Sequence, residues 1–342
     1  MRHSLFEEVI SLENLFLAWE EFKQGKTKKQ DVLLFMHCLE DNIFNLHYQL
    51  KNKTYQHSHY TSFFIRDPKL RKIHKAIVKD RVLHHVLFRV LYPIFDKTFI
   101  ADSYSCRISK GTHKAINRLE KFALKASQNK TKTIFILKCD VKKFFDSIDH
   151  TILFDLLKKK IQNQNLFLLL KGIIQSFETS KGKGLPLGNI TSQLFANIYL
   201  NELDQFVKHK LKIKFYARYC DDFVILSESE SYLDQTLVLI DGFLQTKLKL
   251  VLHPNKIEIR KWHQGIDFLG YVSFPQYRLL RKKTKKRMFE KIKAKHQLFL
   301  KGEISQEKFE QTLKSYNGHL KHCASLKIKG QINELLSFNN NV

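Results

Sequence analysis

Apolar residues recur at helical spacing over residues 9–22, and the run stops near Gly25. That pattern predicts an amphipathic helix. A second helical stretch covers residues 31–50, and a third covers 79–92, where Pro93 is expected to end it. Between them lies Arg66-Asp67-Pro68-Lys69. Pro68 keeps Asp67 extended, so a strand or turn is expected there. The run Thr133-Ile-Phe-Ile-Leu-Lys-Cys139 is short, β-rich and preceded by polar residues. It predicts a buried strand that delivers Asp140 at its C-terminal end. Asp149 suits the cap of a helix that continues through Lys160. Gly182, Gly184, Pro186 and Gly188 punctuate a loop, after which Thr191 or Ser192 can cap the next helix. Residues 214–219 and 223–226 are two β-rich runs joined at Asp221-Asp222, a hairpin with carboxylates at its tip. A helix over 231–248, Pro254-Asn255-Lys256, a strand, and a basic helical region after Arg281 complete the pattern. The fold class expected is α+β, with helices against an antiparallel sheet.

Composition narrows the partners. The 342 residues suggest two or three structural units, and 43% hydrophobic residues suffice for a core. Lys and Arg outnumber Asp and Glu by 59 to 33, a net charge of +26. Such an excess repels itself unless a polyanion neutralises it. Nucleic acid is the obvious one, since its condensed counterions are released on binding; a ribosome-like basic protein is the bland alternative. Cys38, Cys106, Cys139, Cys220 and Cys323 form no CxxC pair and match no zinc spacing. A scattered, odd set fits a reducing, cytoplasmic setting. Glu7, Glu8 and Glu13 argue against a signal peptide, and the longest apolar stretches, such as 166–170, are too short to span a bilayer.

The candidate chemistry lies in two distant acidic segments, Lys138-Cys139-Asp140-Val141-Lys142-Lys143-Phe144-Phe145 and Tyr219-Cys220-Asp221-Asp222. If adjacent strands carry them, three carboxylates converge and repel unless cations bind between them. Mg²⁺ suits oxygen ligands and keeps positions open for phosphate, with Mn²⁺ as a substitute. Two such ions lower the barrier to in-line phosphoryl transfer. Taken alone, Asp-Asp in a hairpin is ordinary turn chemistry.

The surrounding residues go further. Tyr219-Cys220-Asp221-Asp222 resembles the YxDD motif of reverse transcriptases. Asp140 through His150 resembles the preceding acidic motif of bacterial enzymes of that class. Gly184-Leu-Pro-Leu-Gly-Asn-Ile-Thr-Ser-Gln193 resembles the next block, and Phe268-Leu-Gly-Tyr271 the primer-grip block. With upstream blocks at 66–81 and 104–115, the resemblance covers about 60–280 in family order. It implies a right-hand polymerase fold: an N-terminal helical extension (1–60), fingers and palm (61–275) and a basic helical thumb (276–342). It implies Asp140 and Asp221 as metal ligands, with the Val141 carbonyl and Asp222 completing the site. Lys69 and Arg71 match positions that hold the incoming triphosphate, and Arg107 is a further phosphate candidate. Lys256 resembles a lysine that protonates departing pyrophosphate. Phe145 matches a sugar gate that leaves no room for a 2′-hydroxyl, whereas Phe144 is expected in the core. Tyr271, in the primer-grip block, is expected to touch nucleic acid.

Leu187-Gly188-Asn189-Ile190-Thr191-Ser192-Gln193 departs from the glutamine-containing block of most reverse transcriptases. An aliphatic residue followed by GxxxSQ resembles the enzymes of diversity-generating retroelements. Tyr104-Ser-Cys-Arg, Gly111-Thr-His-Lys114, Arg278-Leu-Leu-Arg-Lys-Lys-Thr284 and Ser315-Tyr-Asn-Gly-His319 are similar too. The resemblance implies low-fidelity cDNA synthesis, a template RNA and its cDNA, a dedicated structured non-coding RNA, and a small basic accessory protein that forms a pentamer. Antiphage-defence and other unclassified bacterial reverse transcriptases are the rival, and an inactive RNA-binding scaffold a more distant one. Arg281, Lys282, Lys283, Lys285, Lys286 and Arg287 open the last region, a basic face suited to a phosphate backbone. Tyr55-Gln-His57-Ser-His59-Tyr60 could stack on single-stranded RNA, or be plain amphipathic surface.

Overall fold

The computed structural model describes residues 4–66 and 69–337. Asp67 and Pro68, where a strand or turn is expected, lie outside the described residues. Helices α1 (Leu5–Ile10), α2 (Leu12–Lys23), α3 (Gln30–His37) and α4 (Leu39–Lys51) open the chain. The first two predicted helices are thus each split. Ser11 breaks the first because its hydroxyl accepts from the Asn14 N–H at 3.2 Å and caps α2, a bond worth about 1 kcal/mol. Cys38, at φ −118°, breaks the second.

Strands β1 (Thr61–Arg66) and β2 (Leu70–Lys75) form an antiparallel hairpin. Helix α5 (Val78–Asp96) runs through Pro93 instead of stopping there. Proline costs a helix the bond to the residue four back, but buried Val90, Leu91, Tyr92 and Phe95 keep this last turn packed. Then come α6 (Thr112–Ala126), β3 (Phe135–Asp140), α7 (Phe144–Ser147), α8 (His150–Lys158) and α9 (Gln164–Gln175). Asp149 caps α8 as expected, accepting from Ile152 N–H at 3.2 Å. Helix α10 (Ile190–Gln205) starts after Asn189, not after Thr191 or Ser192, which are buried inside its first turn. The Asn189 amide instead donates to the His74 carbonyl at 3.2 Å.

Strands β4 (Tyr216–Tyr219) and β5 (Asp222–Ser227) form the acidic hairpin, followed by α11 (Glu230–Leu248) and β6 (Glu258–Lys261). The palm sheet is four-stranded, in the order β4-β5-β3-β6, with every pair antiparallel. A small sheet of β7 (Ile266–Phe268), β8 (Tyr271–Ser273) and β9 (Arg278–Leu280) leads to α12 (Lys282–Leu300), α13 (Gln306–Leu320) and α14 (Leu326–Ser337).

Alternation along the strands explains why both sheet faces are covered. Leu137, Cys139, Phe223 and Ile225 join a core with α1–α5 and α8–α11. Ile136, Val224 and Leu226 face the other way, toward α6, the small sheet and the last three helices. The acidic ends of β3 and β5 therefore emerge from a sheet clamped on both sides.

Candidate active site

Strand register brings the acids together. Asp140 is paired with Asp222 across β3 and β5, and Tyr219 is paired with Asp222 across β4 and β5. Cys220 and Asp221 are left as the tight turn between them. The Val141 N–H donates to the Asp221 carbonyl at 3.3 Å, and the His253 N–H to the Asp140 carbonyl at 2.8 Å. Both acid-bearing strands are thus tied at their ends.

The electrostatics are those of a site short of positive charge. Burial, then the Asp140 charge, pushes the Asp221 carboxyl above its ordinary range. Burial, then Asp221 and Asp140, pushes Asp222 up to about 7. Lys256 ends the short turn Pro254–Lys256 that leads into β6, and it forms an ion pair with Asp140. Among the described residues no three His, Cys, Asp or Glu side chains form a ready-made metal cage. The three carboxylates come close enough for each to shift its neighbours, and one of them, Asp140, is also paired with Lys256. Mg²⁺ is commonly held by one or two carboxylates together with substrate phosphates and water, not by an all-protein cage. The facing, mutually repelling Asp140 and Asp222, with Asp221 beside them, fit such an ion.

Phe145 sits half-buried in α7 while Phe144 is in the core at 2% exposure, as expected. The Phe145 carbonyl accepts from Leu185 N–H at 2.9 Å, and Ile148 from Gly184 N–H at 2.8 Å. This fastens the Gly184–Gly188 loop beside the acidic strand. The loop's other side is fastened to β2, whose His74 N–H donates to the Leu187 carbonyl at 2.9 Å. Gly188 has φ +112°, and a Cβ there would lie 2.9 Å from Ile73 Cγ2. Only glycine meets both demands. Lys69 and Arg71 are exposed on this hairpin, and among the described residues neither is engaged in an ion pair.

Two expected contacts are corrected. Arg107 is enclosed: it donates to Asp96 at 2.7 Å and to the Ile100 and Ser103 carbonyls at 2.7 and 3.1 Å. Its guanidinium braces the loop after α5 and is not turned to a triphosphate. Tyr271 is 2% exposed, and its hydroxyl donates to the His319 carbonyl at 3.1 Å. It packs inside, as alternation along β8 requires, and joins the small sheet to α13 instead of touching nucleic acid. Arg281 directly precedes α12 and pairs with Asp267. Lys282, Lys283 and Lys286 are exposed on α12, Lys285 lies over Phe289, and Arg287 faces a cleft of 960 Å³. Arg66, Lys291, Lys295 and Lys308 line the same cleft. Lys308 lies on α13, outside the basic run that marked this region in the sequence. The His57 cluster is interior: His57, Tyr60 and His84 stack and bond with one another.

A right-hand palm with facing acids at its strand ends defines a nucleotidyl-transfer polymerase fold. The model of the family described as "Reverse transcriptase (RNA-dependent DNA polymerase)" matches residues 65–273; the chain belongs to that family. It is 25% identical over 255 residues to Protein YkfC of Escherichia coli (strain K12), covering 64% of this chain and 65% of that protein. It is 26% identical over 289 residues to the group II intron-encoded protein LtrA of Lactococcus lactis subsp. cremoris, covering 79% of this chain and 47% of that one. The chain therefore spans less than two thirds of either relative. Its fold is similar to telomerase from Candida albicans solved in complex with a fragment of telomeric RNA, at TM-score 0.50 and 13% identity, covering 84% of this chain and 61% of that chain.

Proposed function

We propose that this protein is an RNA-directed DNA polymerase that makes cDNA on an RNA template. The observation that carries this is the register pairing of Asp140 with Asp222, with Asp221 in the adjoining turn. The primer 3′-hydroxyl attacks the α-phosphorus of a dNTP, the P–O bond to pyrophosphate breaks, pyrophosphate departs, and the hydroxyl proton passes to solvent water. Asp140, Asp221 and the Val141 carbonyl would hold two Mg²⁺ ions, with Asp222 adding negative charge. When bound, the ions stabilise charge on attacking and leaving oxygens. Lys69 and Arg71 grip the triphosphate, and Lys256 gives its proton to pyrophosphate once it leaves Asp140. Phe145 lies beneath the sugar and excludes the 2′-hydroxyl. Arg281, Lys282, Lys283, Lys285, Lys286 and Arg287 follow the duplex phosphates. The chain's positive charge supports that role. Primer extension on an RNA template, with dNTPs and Mg²⁺, tests the reading; absence of product from the intact protein would favour a silent RNA-binding scaffold.

Within that activity the reading is a low-fidelity enzyme of a diversity-generating retroelement, acting in the cytoplasm. Leu187 supports it, because an apolar side chain on the loop beside Phe145 offers no hydrogen bond to discriminate base-pair geometry. A dedicated non-coding RNA and a pentameric basic accessory protein belong to this reading. Among the described residues no helix is long and apolar enough to cross a membrane. Sequencing cDNA made by wild type and Leu187→Gln decides: fewer errors in the variant support the reading. Equal error spectra favour a defence-type or other bacterial enzyme.

A further inference from the structure

Beneath the catalytic turn lies an ion pair that the reaction itself does not use. Arg218 on β4 and Asp204 on α10 are both fully buried, with 0% exposure of either side chain. Arg218 Nε and Nη2 donate to the two carboxylate oxygens of Asp204, at 2.7 and 2.5 Å. The Tyr216 hydroxyl donates to Asp204 Oδ1 at 2.7 Å. Nη2 also reaches Ser103 Oγ at 3.1 Å, and Nη1 reaches Asn197 Oδ1 at 3.4 Å. The remaining bond leaves this cluster: Nη1 donates to the Cys220 carbonyl at 3.0 Å.

That carbonyl belongs to the residue that most needs holding. Cys220 has φ +56°, the left-handed region where a Cβ is penalised and glycine is favoured. It directly precedes Asp221 and Asp222. A bidentate guanidinium is rigid in direction, unlike an ammonium. Buried ion pairs add little stability over apolar replacements, so this pair's place against the turn calls for a reason other than stability. The Arg218 backbone is held separately, by its N–H to the Asp102 carbonyl and its carbonyl to the Tyr104 N–H, both at 2.9 Å.

We propose that Arg218, seated on Asp204, is a positioning residue: it clamps the Cys220 carbonyl, keeps Cys220 left-handed, and so fixes Asp221 and Asp222 opposite Asp140. This rests on the polymerase reading of the acidic turn.

The test uses the intact chain and three readouts: Tm, Mn²⁺ affinity by electron paramagnetic resonance, and primer extension against Mg²⁺ concentration. Arg218→Lys keeps a charge beside Asp204 but cannot span Asp204 and the Cys220 carbonyl together. Its Mn²⁺ affinity and kcat should fall about tenfold, the scale of one charge-assisted hydrogen bond. Its dNTP KM should stay unchanged; its Tm should fall, because lysine cannot satisfy Asp204, Ser103 and Asn197 together, so Mn²⁺ affinity and kcat are read at a temperature where the variant is fully folded. Adding Cys220→Gly, which accepts positive φ without the clamp, should restore most of both. Asp204→Asn, which keeps shape but weakens the seat, should act in the same direction, more weakly, and be rescued in the same way. Unchanged Mn²⁺ affinity in both variants, or a fall that Cys220→Gly does not reverse, overturns the clamp. If wild type extends no primer, the polymerase reading fails, while Mn²⁺ affinity still decides the clamp.

Discussion

The β4–β5 hairpin and the β1–β2 hairpin carry opposite charges and are held in opposite ways. Phe223, Val224 and Ile225 of β5 are fully buried, and the sheet is packed on both faces. All six residues of β1 are exposed, including Phe64 at 64%. The acidic hairpin is fixed by its core, which it needs, because facing carboxylates repel; the packing is helped by the Lys256 ion pair with Asp140 and the Arg218 bond to the Cys220 carbonyl. The basic hairpin has little buried apolar surface of its own, so its local stability is low. It depends on the His74 and Asn189 bonds and on Ile73 against Gly188. Rigidity is invested where charge must be aligned, and long cationic side chains are left on an exposed support.

Four substitutions press on that contrast. Asp140→Ala should cut primer extension by about 10³-fold or more, since the cation that would stabilise the transition-state charge loses a ligand, with Tm unchanged or raised once a repelling charge is gone. A large drop in Tm would mean that the acid is structural. Gly188→Ala should lower stability by about 1–3 kcal/mol in urea unfolding, from positive φ and the collision with Ile73. It should raise the dNTP KM as well, because the support of Arg71 shifts. No change in either would detach the two hairpins. Arg71→Ala should raise the dNTP KM about tenfold, the loss of a charged phosphate contact, at constant Tm; an effect on kcat alone would contradict the assignment.

The smallest effect concerns Asp149 on the rigid side. Burial raises its pKa, but hydrogen bonds from Lys249 and the Ile152 N–H, with the Lys249 charge, hold it below the ordinary carboxylate range. A depressed folded pKa stabilises the fold above the unfolded value near 4 and is lost as pH falls through the folded value. Asp149→Ala should therefore cost about 1 kcal/mol at pH 7, and that difference should vanish in strong acid. An equal cost at pH 2 would show that the charge is irrelevant.

What the sequence made legible follows the range of the interaction. Asp140, Asp221, Phe145 and Gly188 lie in local motifs, and the strands that bring them together announce themselves by alternation. Arg107 and Tyr271 looked like ligands because their motifs place them near nucleotides. Their real partners, Asp96 and the His319 carbonyl, are 11 and 48 residues away and chosen by tertiary packing. Arg218 adjoins the YxDD block but gains meaning only from Asp204 on another element. Its signal was an arginine inside an otherwise apolar strand, which a buried charge requires to be paired. The splits at Ser11 and Cys38 were hidden because helical periodicity continues across both. Pro93 misled because the packing of Phe95 outweighs the single backbone bond a late proline removes.

The central claim is settled most directly by single-nucleotide incorporation on an RNA template. Wild type and Asp221→Ala would be compared after matching their Tm, with dNTP or rNTP and with or without Mg²⁺. The account predicts Mg²⁺-dependent addition of dNTP by wild type, strong preference over rNTP, and loss of the signal in the variant. Equal incorporation by the two proteins, or none by either, would contradict it.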